Sequence, residues 1–147
     1  MDAFLKERID TNVTPQAERR ARVLIAEDSE AMMREIEHLL SPDFDIVGKA
    51  SNGLDLVVEA KRLGPDLIVT DLEMPGLSGI EASRAALKER PGLPILLLTS
   101  HGDRCLVQEA LGTGIRAYVL KLTAADDLIP AAYRALKGKT FVSPMLR

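Results

Sequence analysis

The 147-residue chain has one cysteine, Cys105, so it can form no internal disulfide. It also has no apolar stretch of membrane-spanning length: the longest aliphatic run, Ile95-Leu96-Leu97-Leu98, falls far short of the roughly 20 apolar residues required. The opening residues, Met1-Asp2-Ala3-Phe4-Leu5-Lys6, lack the hydrophobic core of a signal peptide. Together these absences give a cytoplasmic expectation. Nineteen basic residues against 22 acidic ones leave a net charge of −3 with no basic block, which argues against nucleic-acid binding by charge alone. No low-complexity tract or internal repeat appears. What is present, 46% hydrophobic and 28% charged residues, suits one globular domain. A chain of this length buries on the order of two thirds of its unfolded surface and needs no staple to hold a core.

Residues 1–20 carry scattered apolar groups and charges of both signs without a sustained period, so they are expected to form a mobile N-terminal arm. From Arg22 onward short aliphatic runs alternate with helical spacing. Val23 to Ala26, Phe44 to Ala50, Leu67 to Val69, Ile95 to Leu98 and Ala117 to Leu120 read as strands, and the continuous runs imply burial on both faces. Helices are predicted from Ala31 to Leu40, from Leu54 to Leu63, after the Ser78-x-x-Glu81 capping box, from Asp103 to Gly112, and from a Thr123 cap to Lys137-Gly138. Five strands alternating with five helices through short crossovers predict an α/β, doubly wound, five-stranded parallel sheet. Residues 21–138 form this unit, and 139–147 read as a C-terminal tail or linker.

In such a sheet ligands bind at the carboxyl ends of the strands. Glu27 and Asp28 follow the first strand, Asp71 the third, Thr99 and Ser100 the fourth, and Lys121 the fifth. Carboxylates grouped this closely repel one another unless a cation is present. A hard cation that keeps waters and takes few carboxylates is closer to magnesium (or manganese) than to calcium. A phosphoryl group on Asp71 would find the metal and Lys121 for its charge and the Thr99 hydroxyl for a hydrogen bond. Met74-Pro75-Gly76 signals a sharp turn that aims the Glu73 carbonyl inward toward a metal. Singly, each residue has a plainer reading as a helix cap, a turn former or solvated surface. Their order around one rim points instead to phosphoryl transfer.

The chain resembles the receiver domains of two-component response regulators. The resemblance runs from about Arg22 to Gly138 through Val-Leu-Ile-Ala-Glu27-Asp28, Pro65-Asp66-Leu-Ile-Val-Thr-Asp71-Leu-Glu-Met-Pro75-Gly76, Leu-Leu-Leu-Thr99-Ser100 and Ala117-Tyr118-Val-Leu-Lys121. It implies a flavodoxin-like strand order 2-1-3-4-5, and an Asp71 that accepts a phosphoryl group from the phosphohistidine of a sensor histidine kinase or phosphotransfer protein. It also implies that Glu27, Asp28, Asp71 and the Glu73 backbone carbonyl hold magnesium, and that Lys121 pairs with the phosphoryl group or Asp71. Thr99 and Tyr118 are then the switch, read out on the face made by the fourth helix, fifth strand and fifth helix. Glu73, Ser100 and His101 flank the site as tuning residues. Slow autodephosphorylation is implied, as is an output through a downstream protein target or a C-terminal DNA-binding domain, and a phosphorylation-dependent homodimer is left open. Thr140-Phe141-Val142-Ser143-Pro144 resembles the strand-like tail that precedes a helix-turn-helix domain in many relatives, so this is either a stand-alone receiver or one without its effector.

Several residues depart from the family pattern. Ser100 stands where alanine is usual, and Leu122 where proline often follows the lysine, so a trans Lys121-Leu122 bond is expected. Pro130 falls inside the last predicted helix, which should therefore kink or begin later. Cys105 reads as a small core filler and His38 as a polar residue on a solvated helix face. Two other functions were weighed. A magnesium-dependent phosphatase or phosphotransferase would carry Asp-x-Asp after its first strand, and a flavodoxin-like electron carrier needs a phosphate loop that Ala26-Glu27-Asp28-Ser29-Glu30 would repel.

Overall fold

The computed structural model describes residues 19–147, so the expected N-terminal arm lies almost wholly outside the described residues. The elements follow in the order β1 (Arg22–Ala26), α1 (Glu30–Leu40), β2 (Asp45–Ala50), α2 (Gly53–Leu63), β3 (Leu67–Asp71), α3 (Gly79–Glu89), β4 (Ile95–Thr99), α4 (Arg104–Thr113) and β5 (Ala117–Leu120). A 3-10 turn (Lys121–Thr123), α5 (Ala124–Leu136), β6 (Phe141–Val142) and a last 3-10 turn (Pro144–Leu146) complete the chain. All strand pairs are parallel, in the order β2-β1-β3-β4-β5-β6. The sheet thus has six strands where five were expected. The sixth, β6, comes from the tail noted as strand-like, whose Phe141 and Val142 pair with Ala117 and Tyr118 at the edge of β5.

Alternate strand residues feed two separate cores. Val23, Ile25, Val69, Leu96, Leu98 and Val119 face α1 and α5, where Ile36, Leu40, Leu128, Ala131 and Ala132 meet them. Leu24, Ile68, Ile95, Leu97 and Tyr118 face α2, α3 and α4, where Leu56, Ile80, Ala86, Val107 and Ala110 meet them. Both faces being covered, the central strands are continuous apolar runs, Val23 to Ala26, Leu67 to Val69 and Ile95 to Leu98, that turn polar only at their ends.

Local chemistry sets the helix starts. Ser29, Asn52 and Ser78 each accept from an amide in the first turn of the helix that follows. The Ser78/Glu81 capping box forms in both directions, at 3.1 and 2.9 Å. Asp103 caps α4 as expected, by accepting from the Cys105 amide. Helix α4 runs one residue past Gly112, because Gly114, at φ 109°, is the glycine in the left-handed conformation that ends a helix. Thr123 precedes α5 without capping it, since its hydroxyl is bonded to Asp127. Pro130 neither interrupts nor delays α5. Pro130 and Asp126, whose carbonyl loses its helical partner, are both exposed, so water can replace the missing N–H.

Candidate functional site

The carboxyl ends of β1, β3, β4 and β5 converge as the connectivity requires. Glu27, Asp28 and Asp71 each offer an oxygen within 4.8 Å of the others, with Glu27 and Asp71 buried and Asp28 exposed. Lys121 Nζ lies 3.1 Å from Asp71 Oδ2 and 3.0 Å from Glu27 Oε1. The second Glu27 oxygen accepts from the Ser29 amide at 3.1 Å. Burial pushes the Glu27 carboxyl above its ordinary value, and the Ser29 amide and Lys121 offset this only in part. Burial pushes the Lys121 ammonium down, but Glu27 and Asp71 outweigh it and leave its pKa raised. Lys121 therefore stays cationic at neutral pH, and two of the three carboxylates, Glu27 and Asp71, share one ammonium.

The hard oxygen donors, two of them buried and all mutually close, fit a divalent cation of the magnesium class. The loop after Asp71 holds this shape through close backbone approach. Gly76 takes φ 79° in the turn that Met74-Pro75-Gly76 predicted. A Cβ on Gly79 would stand 2.0 Å from the Asp71 carbonyl oxygen, so the start of α3 can close over β3 only with glycine there. Gly53 is in the same position toward the Leu77 carbonyl, at 2.2 Å. Neither glycine emerged from the sequence, where each reads as an ordinary helix-start residue.

Thr99 and Tyr118 are both fully buried and meet through the backbone of one residue, His101, on its two successive peptide groups. Thr99 Oγ1 accepts from the His101 amide at 3.1 Å, and Tyr118 Oη donates to the His101 carbonyl at 2.7 Å. Burial, with the charge of Asp103, pushes the Tyr118 phenol up to about 12. Tyr118 is thus a core strand residue whose hydroxyl is bonded to backbone. His101 Nε2 lies 2.8 Å from Glu73 Oε2, which joins the two tuning candidates across the mouth of the site, and Ser100 is exposed beside them.

Leu122 is 81% exposed, and no cis peptide bond occurs among the described residues, so the Lys121-Leu122 bond is trans. His38 is exposed on α1, as expected. Cys105 is not core: it is exposed at the first turn of α4, whose buried face is set by Val107 and Ala110.

Comparison with known proteins places the chain in one family. Residues 23–133 match the family model described as the response regulator receiver domain. The response regulator protein VraR of Staphylococcus epidermidis is 34% identical over 125 residues, covering 84% of this chain and 60% of the relative, and VraR of Staphylococcus aureus matches equally. The chain thus spans about 60% of the length of the curated relatives it matches. Among solved structures, a LuxR-family two-component response regulator from Aurantimonas sp. superposes with a TM-score of 0.83 at 26% identity, covering 87% of this chain and 93% of that one. The isolated REC domain of RcsB from Salmonella enterica serovar Typhimurium, solved with the phosphomimetic BeF3−, gives 0.80 at 27% identity, covering 87% and 96%. With most of its length matched by the family model and its acidic, hydroxyl and lysine residues gathered at the strand ends, the chain belongs to the response regulator receiver domains of two-component signalling.

Proposed function

We propose that Asp71 is the phosphoacceptor of this signalling switch. The observation that carries the reading is the position of Lys121 Nζ, 3.1 Å from Asp71 and 3.0 Å from Glu27 at the edge of a carboxylate triad. An Asp71 carboxylate oxygen attacks the phosphorus of a kinase or phosphotransfer-protein phosphohistidine. The O–P bond forms as the P–N bond breaks, and the imidazole departs with the electron pair. Glu27, Asp28, Asp71 and the Glu73 carbonyl would hold magnesium or manganese, which when bound neutralises charge on the phosphoryl oxygens. Lys121, already cationic, supplies a second positive charge beside Asp71.

The same geometry supports a relay. A hydroxyl has one donor and two acceptor sites, so Thr99 can donate to a phosphoryl oxygen while still accepting from the His101 amide. Drawing Thr99 inward then carries the His101 backbone with it, through the peptide before that residue, and Tyr118, bonded to the carbonyl of the peptide after it, follows. The readout falls on the face of α4, β5 and α5, whose sheet edge is supplied by β6. Glu73 and His101, paired at the mouth, control the water that hydrolyses the acyl phosphate in slow autodephosphorylation. Output passes to a protein target or a DNA-binding domain; among solved relatives one structure holds two RcsB dimers on two parallel DNAs. Acetyl phosphate with magnesium is expected to add one base-labile phosphoryl group, detected by intact mass. Asp71→Asn should abolish the adduct, and an undiminished adduct in that variant overturns the assignment.

A further inference from the structure

Behind Lys121 lies a polar cluster that the phosphorylation chemistry does not use. Asp127, on the first turn of α5, is buried at 8% exposure, and its Oδ2 accepts two hydroxyl hydrogen bonds. One comes from Thr123 at 2.6 Å and the other from Ser143 at 2.8 Å. Ser143 is fully buried, and its hydroxyl oxygen also accepts from the Leu120 amide at 3.0 Å. The two fastened points bracket the lysine: Leu120 immediately precedes it, and Thr123 closes the 3-10 turn that begins with it.

The position of β6 explains why this bond is needed. Strand β6 has only two residues, so its backbone ladder to β5 stops where Ser143 N donates to the Tyr118 carbonyl at 3.0 Å. The next β5 amide, that of Leu120, would be buried without a partner, and the Ser143 side chain takes it instead. Beyond Ser143 the chain turns over the switch loop. A Cβ on Gly102, next to His101, would stand 2.8 Å from Leu146 Cδ2 and 3.8 Å from Leu120 Cδ2. The segment thus touches Leu120 on one flank of Lys121, reaches Thr123 on the other through Asp127, and touches the carbonyl of Tyr118 and the loop that joins Thr99 to α4.

We propose that residues 139–147 act as a strap that positions Lys121, with the Asp127 carboxylate as its lock and the Thr123 and Ser143 hydroxyls as its two fasteners, and that phosphorylation tightens it. This rests on Asp71 being the phosphoacceptor. A three-residue 3-10 turn is a weak support on its own, and Leu122, exposed at its centre, packs too little to stiffen it. The lock supplies the stiffness from behind. Because coupling is reciprocal, a phosphoryl group that draws on the Lys121 ammonium stabilises the fastened strap by the same factor that the strap favours phosphorylation. The strap is then an output element as well as a support.

Hydrogen exchange of the full chain, with magnesium and with or without beryllofluoride, tests the tightening. Protection of the Leu120 and Ser143 amides should rise by about tenfold. Phosphorylation by acetyl phosphate tests the positioning. Ser143→Ala and Thr123→Val should each lower the adduct rate at saturating magnesium by about fivefold or more without moving the magnesium midpoint, and Thr123→Ser, which keeps the hydroxyl, should restore it. Protection that is unchanged by beryllofluoride overturns the tightening, and needs no variant to be folded. Parent rates in both hydroxyl-deleted variants, a shifted magnesium midpoint, or a Thr123→Ser variant as slow as Thr123→Val overturn the positioning. A parent chain that takes no phosphoryl group on Asp71 fails at the earlier step and removes both readings together.

Discussion

Glu27→Gln should stabilise the metal-free protein while destroying its response to magnesium. Once ionised, above its raised pKa, the Glu27 carboxylate is buried within 4.8 Å of oxygens from Asp28 and Asp71, and its compensating contact is Lys121 at 3.0 Å. With an effective dielectric of about 20, each like-charge contact costs about 3.5 kcal/mol and the lysine contact returns about 5 to 6 kcal/mol. Removing the charge therefore gains roughly 1 to 2 kcal/mol, and relief of the burial cost adds to it. Lys121 keeps Asp71 at 3.1 Å, so no cation is left unpaired. For a domain of this size, about 1 to 2 kcal/mol corresponds to a rise of a few degrees in Tm. Adding magnesium reverses the comparison: a ligand at 100 times its Kd stabilises the parent by about 2.7 kcal/mol, whereas the variant has lost a ligand and should gain little. The pH dependence has a definite sign. The native Glu27 pKa lies above its unfolded value, so the native state holds the extra proton between the two. The parent's penalty is absent below the unfolded pKa, accumulates as pH rises through the window and is complete above the native pKa. The variant lacks that slope. Thermal melts followed by circular dichroism in chelator and in magnesium, across that pH range, measure all three effects. A variant that melts below the parent in chelator, or that magnesium stabilises as much as the parent, refutes the reasoning.

Three further outcomes follow from single contacts. Gly79→Ala should cost several kcal/mol in chemical denaturation and slow phosphorylation, because its Cβ would stand 2.0 Å from the Asp71 carbonyl oxygen; parent-like stability would show that the loop yields freely. Tyr118→Phe should destabilise by about 1 kcal/mol through loss of the bond to the His101 carbonyl and weaken beryllofluoride-induced shifts in α4 while leaving Asp71 phosphorylation intact; undiminished shifts by NMR would remove Tyr118 from the relay. The same phenol, raised to about 12 by burial, keeps its proton in the native state above its unfolded value near 10, so the parent's stability should fall as pH rises through that interval and the Phe variant's should fall less. Changing Glu73 or His101 should alter the decay of the acyl phosphate by about severalfold without moving the phosphorylation site, and identical decay curves would assign the pair to inert surface.

The sequence by itself determined the parts whose cause is local or periodic. Continuous aliphatic runs such as Val23 to Ala26 and Ile95 to Leu98 announce strands covered on both faces, and Ser78 with Glu81 announces a helix start from four residues alone. The rim was legible because strand–helix alternation sends every strand end to one side, so Glu27, Asp28, Asp71, Thr99 and Lys121 had to meet. Tertiary structure decided the parts that depend on which surfaces approach one another. The tail around Phe141 is strand-like in sequence, but that it joins the sheet as a sixth strand depends on the free edge of β5. Cys105 sits in the predicted helix but on the side that α4 leaves uncovered. Pro130 is tolerated because its place in α5 faces solvent. Gly53 and Gly79 are required by carbonyls of other segments, at 2.2 and 2.0 Å. The His101 backbone joins Thr99 to Tyr118, and Asp127 joins Thr123 to Ser143, through residues with no local signature for either task. Hydrophobic period and capping are written in neighbouring residues, whereas the partner of a buried hydroxyl or amide is chosen only when distant segments close over it.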